Sequence, residues 1–120
     1  MKGRTPTTRE KTWHDQLAQH VGCLPCLQDN GVRNTWVSIH HIDGRTKPDA
    51  HWQVLPLCGG HHQEGRGLPG QLAVHGHKRR FETMYGTQQE QLTRAAEQLL
   101  DMGCEVPERV LELTGLATEA

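Results

Sequence analysis

Hydrophobic positions along this chain fall into short, separated groups rather than one long run. Trp13, Leu17 and Val21 recur at four-residue intervals after Thr7 and Glu10, which have capping-box spacing, so the pattern predicts a first helix ending near Gly22. A flexible N-terminal segment is expected over residues 1–10. Asp29-Asn30-Gly31 marks a turn. Trp36 to Ile39 reads as a strand running directly into His40-His41, and Trp52 to Leu57 as a second strand, irregular at Pro56. Cys58 then opens a short helix carrying His61 and His62. Three glycines and Pro69 make 65–70 a loop. From Val74 to Tyr85, Phe81 and Met84 stand at helical spacing beside the basic run Lys78-Arg79-Arg80. Thr87 and Glu90 repeat the capping-box spacing ahead of an apolar stripe of Leu92, Ala95, Ala96, Leu99 and Leu100, closed by Gly103. Pro107 starts a last helix with Val110, Leu111 and Leu113. The pattern predicts one α+β domain over residues 11–120, with a strand–strand–helix core at about 20–90 and acidic C-terminal helices over 87–120.

Composition changes that picture in one respect. With 34% hydrophobic and 4% aromatic residues, the core is thin, and thin cores need a staple such as a metal or a disulfide. Nine histidines point to the metal, because imidazole is the commonest side-chain ligand. The four cysteines are fewer than a disulfide scaffold would use. Met1–Glu10 has no apolar run, and no stretch reaches the length of a membrane span. The expectation is a cytoplasmic protein, without membrane contact, whose thiols bind metal. The net charge of −1 hides an asymmetry: residues 1–81 hold 11 Lys+Arg against 6 Asp+Glu, and residues 82–120 hold 2 against 8. A basic body can meet phosphate, while an acidic third repels it or faces a protein partner.

Cys23-x-x-Cys26 brings two thiolates to one ion through a tight knuckle. Cys58 and His61, three apart at a helix start, share one face. Together they make a closed tetrahedral set for a structural zinc. A knuckle, a hairpin and a helix start around one zinc is a treble-clef arrangement. His62, four residues from Cys58, is an alternative fourth ligand to His61. Cys104, at a helix end, reads as a small core residue.

His40, His41, His62 and His75 then remain. Adjacent strand residues point to opposite faces, but at a strand end both can reach one cleft from two sides. His61 and His62 are separated by about 100° on a helix, which favours His61 for the zinc and His62 for a second site. Phosphodiester hydrolysis needs a base for water, a cation on the phosphate and stabilisation of the leaving oxygen. His41 is a candidate base. His40, His62 and His75 are candidate ligands of a second divalent ion (zinc, magnesium or manganese), and Asp43 is a further ligand or an orienting group. His14, His20, His51 and His77 read as histidines without chemistry.

These residues carry a resemblance. His40-His41 at a strand end, then Gln53-Val-Leu-Pro-Leu-Cys58-Gly-Gly-His61-His62, resembles the HNH endonucleases. The resemblance implies a ββα-metal fold, His41 as general base, His40 and His62 as metal ligands, and Gln53 where that family has the Asn that orients the base. A narrower resemblance extends over roughly residues 20–90. It rests on His40-His-Ile-Asp-Gly-Arg-Thr-Lys-Pro48, Leu55-Pro-Leu-Cys58, His61-His62, Val74-His75, Phe81-Glu82 and Tyr85-Gly86. This pattern is similar to the RecA-dependent nucleases of phage recombination enhancement. It implies DNA as substrate, a RecA-type filament as partner, and a role for His75. Lys78, Arg79, Arg80, Arg45 and Lys47 are candidate phosphate contacts. Because the total charge is near neutral, a partner is expected to deliver the enzyme to DNA. The competing reading, a non-catalytic treble-clef zinc module binding nucleic acid or protein, needs only the zinc residues.

Overall fold

Thr7 opens the first helix, α1 (Thr8–Gln16). Its hydroxyl accepts the Glu10 N–H at 3.2 Å while the Glu10 carboxylate accepts the Thr7 N–H at 2.8 Å, the predicted reciprocal cap. Helix and burial therefore reach into the N-terminal segment expected to be flexible: Glu10 is buried against the core. The computed structural model describes residues 5–63 and 72–116, so the loop expected over 65–70 lies outside the described residues. α1 widens into a π turn over Leu17–Val21. That turn winds less per residue and offsets the drift of a four-residue spacing, so Trp13, Leu17 and Val21 all face inward. Gly22 follows at φ +71°, and a Cβ there would stand 2.6 Å from the Asn34 carbonyl oxygen. That same carbonyl accepts the Cys23 N–H at 3.0 Å. Only glycine lets the chain pass this point and enter the cysteine pair.

The expected knuckle is a helix. Cys23 is the N-cap of α2 (Leu24–Asn30), Pro25 sits in its first turn, where no helical N–H is needed, and Gly31 closes it in the left-handed conformation. β1 (Val37–His41) and β2 (Val54–Cys58) pair antiparallel, with His41 opposite Val54. The predicted irregularity at Pro56 is absent, because the register runs unbroken through Ile39↔Pro56. The Ile42 N–H bonds the Gln53 carbonyl, which makes alternate pairs hydrogen-bonded and leaves Pro56 in a pair that exchanges no bonds. Its missing N–H therefore costs the ladder nothing.

α3 (Gly59–His62) continues directly from β2. α4 (Lys78–Tyr85) carries Phe81 and Met84 and begins just after Gly76, whose φ of 107° lies outside the helical region. Val74 and His75 instead run beside α3, with the Val74 N–H on the His61 carbonyl at 2.8 Å and the His75 N–H on the His62 carbonyl at 3.1 Å. Phe81 and Tyr85 point inward, whereas Met84 is half exposed. α5 (Gln88–Asp101) is capped by Thr87 and Glu90 as predicted, and buries Leu92, Ala95, Ala96 and Leu99 but not Leu100. α6 (Glu108–Thr114) starts after Pro107 and buries Val110. The result is a small α+β fold in which a β-hairpin and α3 are wrapped by helices. Among the described residues, no helix is long and apolar enough to cross a membrane.

Candidate functional site

The first cluster joins α2 to the β2–α3 junction. Cys23, Cys26, Cys58 and His61 are all buried, and their ligand atoms lie within 4.8 Å of one another. The His61 Nδ1 is 3.5 Å from the Cys23 and Cys26 sulfurs and 3.1 Å from that of Cys58, and Cys26 Sγ is 3.5 Å from Cys58 Sγ. Zinc at about 2.3 Å from sulfur and about 2.0 Å from nitrogen, in tetrahedral geometry, would set S···N near about 3.5 Å and S···S near about 3.8 Å. The observed edges fit that size closely. Burial pushes the Cys23 and Cys26 thiols up, so a cation is what would make thiolates tolerable here. The other ring nitrogen of His61 donates to Asp29 Oδ2 at 3.1 Å, and the Tyr85 hydroxyl donates to the same carboxylate at 2.8 Å. Asp29 thus fixes the His61 tautomer with Nδ1 facing the sulfurs. This buried group could hold a metal ion such as zinc.

The second cluster sits where β1 meets α3 and the 74–75 segment. His40, His62 and His75 form a nearly equilateral triangle, with ring centroids 5.2, 5.0 and 5.0 Å apart. A ring centroid lies about 3.2 Å from an ion bound through ring nitrogen, so ligand angles between octahedral and tetrahedral separate centroids by about 4.5–5.2 Å. The triangle has that size, and its ligand atoms also lie within 4.8 Å of one another. His40 is buried, His62 half-buried and His75 exposed, so the group opens on one side. His40 Nε2 lies 2.6 Å from Gln88 Oε1, and Gln88 Nε2 donates to Glu82 at 2.9 Å, which leaves His40 Nδ1 for an ion. Ser38 Oγ is 2.7 Å from His62 Nδ1. Burial pushes His40 down to about 4, against the pull of its Gln88 bond and with help from His62, His75 and Lys78. Burial lowers His62 as well, with His75 adding to it. Asp43, expected as a further ligand, is not in this group. It lies exposed on the β1–β2 loop.

His41 points to the other face of β1 and meets a different pair. Its Nε2 is 3.0 Å from Nδ1 of His51, and His14 packs 6.1 Å away, ring centre to ring centre. Burial, then the neighbouring His51, Arg45, His14 and His40, push His41 down to about 4. The expected partner of His41 was Gln53. Gln53 bonds through its backbone, with its carbonyl on the Ile42 N–H and its N–H on the Asp49 carbonyl, and the ring hydrogen-bonded to His41 is His51.

Residues 6–100 match the family described as recombination enhancement, RecA-dependent nuclease. The chain belongs to that family. The matched region spans both clusters and the His14–His41–His51 group, and leaves α6 outside. Its basic residues divide in the same way. Arg45 and Lys47 stand exposed on the β1–β2 loop, Arg45 close enough to His41 to lower its pKa. Lys78, Arg79 and Arg80 form the exposed first turn of α4, on the His40 side. Lys78 and Arg79 line a surface depression of about 490 Å³ together with Glu82, Thr83 and Thr87. Asp29, Ser38, Glu82, Gln88, His14 and His51, which stand against the clustered residues, carry no motif in the sequence. Asp29 was visible only as a turn residue and Gln88 only as filling between Thr87 and Glu90.

Proposed function

We propose that this chain is a metal-dependent, HNH-type endonuclease that hydrolyses DNA phosphodiester bonds where a RecA-type filament has delivered it. The observation that carries the reading is the open triangle of His40, His62 and His75, with His41 the next residue along the strand that carries His40. In this reading Cys23, Cys26, Cys58 and His61 hold a structural zinc. His40, His62 and His75 hold a second divalent ion, and an all-histidine set suits zinc or another transition metal better than magnesium. A cation bound there supplies positive charge against the scissile phosphate and the leaving oxygen. His41, held neutral at pH 7 by burial, offers a bare ring nitrogen to take a proton from water. Arg45, Lys47, Lys78, Arg79 and Arg80 meet phosphates along the strand. A zinc module without catalysis would use only the first cluster and give the triangle no task.

The test is His41→Ala in the full chain, assayed with divalent metal on DNA paired by a RecA filament. Cleavage should fall by about 10²–10⁴-fold with zinc content and melting unchanged. Undiminished cutting would remove His41 as the base.

A further inference from the structure

His51 is fully enclosed, yet it is an imidazole, and a buried imidazole needs a partner for each nitrogen. Its Nδ1 finds His41 Nε2 at 3.0 Å, with the rings nearly perpendicular at 80° and their centres 5.0 Å apart. The peptide that carries His51 is clamped from several directions. Its carbonyl accepts His14 Nε2–H at 2.7 Å, and the next carbonyl, of Trp52, accepts the Trp13 indole at 3.2 Å. The Asp49 carbonyl accepts both the Trp52 and the Gln53 N–H, and the Asp49 carboxylate takes two bonds from Arg109, at 3.0 and 2.7 Å. His51 is thus held by α1 and α6 as well as by the end of the strand that carries His41, where the Gln53 carbonyl accepts the Ile42 N–H.

We propose that His51 is the positioning residue for His41: its Nδ1 accepts a hydrogen bond from His41 Nε2–H and leaves His41 Nδ1 bare for the proton of the attacking water. The inference rests on the reading of His41 as the base. A neutral imidazole carries one N–H, so two neutral rings in contact share a single proton. With that proton on His51, His41 would carry its own at Nδ1 and have no free lone pair. With it on His41, the outer nitrogen is a base of fixed direction. An imidazole acceptor does this without placing a carboxylate's negative charge beside a phosphate, where it would repel the substrate.

The test uses the full chain, zinc-loaded, with manganese and DNA paired by a RecA filament. His51→Leu should lower kcat by about 10–100-fold, with KM and zinc content unchanged. His51→Asn, whose amide oxygen can stand near the place of Nδ1, should restore most of the loss. Nitrogen–proton correlation spectra of the unsubstituted protein near neutral pH should show His41 as the Nε2–H tautomer, its signals identified by their disappearance in His41→Ala. This readout decides even if His51→Leu does not fold. An Nδ1–H tautomer at His41, or His51→Leu cutting like the parent while His41→Ala is dead, overturns the role of His51 and leaves the base in place. His41→Ala cutting like the parent overturns the base reading and this inference with it.

Discussion

The Cys₃His group and the histidine triangle are built from neighbouring residues, yet they differ in enclosure. All four members of the first are buried, and Cys23, Cys26 and Cys58 belong to the hydrophobic core itself. The second grades from buried His40 to exposed His75. Four protein ligands around one ion leave no position for anything else, whereas three on one side leave room for water and phosphate. The outer partners differ too. His61 leans on a carboxylate, Asp29, which strengthens its hold on a cation, while His40 leans on the neutral amide of Gln88. In the proposed reading, the difference teaches where each ion's free energy would go: into folding at the closed group, and into chemistry at the open one.

The largest effect should come from separating the two. Stripping zinc with a strong chelator, or substituting Cys58→Ser, should unfold the chain, because a structural zinc contributes on the order of 10 kcal/mol. His62→Ala should keep the folded spectrum and the zinc while losing cleavage. Circular dichroism and metal content check both, and a folded, zinc-free chain would erase the contrast. A smaller effect concerns pH. His41 is held down to about 4 when folded but titrates near 6.5 when unfolded, so the unfolded chain takes up that proton first on acidification. Its contribution to stability is whole above 6.5 and is lost as pH falls toward about 4. Denaturant melts across that window should show the parent losing more stability than His41→Ala, and parallel curves would contradict it. The smallest effect is at the surface: Lys78→Ala should reduce the salt dependence of DNA binding by about one unit of log–log slope, read by titration at several salt concentrations.

Much of this arrangement was legible in the chain. Both capping boxes form, the strand does run into His40-His41, and one helical turn does send His61 and His62 to different groups. Those features depend on local spacing, which a sequence displays directly. The orienting partners depend on distance along the chain. His40 meets Gln88 across 48 residues and His61 meets Asp29 across 32, and nothing in the periodicity of either segment announces the encounter. His51 was passed over because a lone histidine in a polar connection has no pattern. The clamp by His14 and Trp13 gives the peptide that carries it a fixed place.

The single turn of α3 also works as a form of addressing. Cys58 and His61 are separated by two glycines, and His62 follows at once. Removing Gly59 or Gly60 would move His62 into the place that His61 holds, with the Cys-x-x-His spacing intact. The scaffold ion would keep a full set, and the triangle would be left with two corners. In the proposed reading, one residue of phase therefore separates a reactive fold from an inert copy of itself.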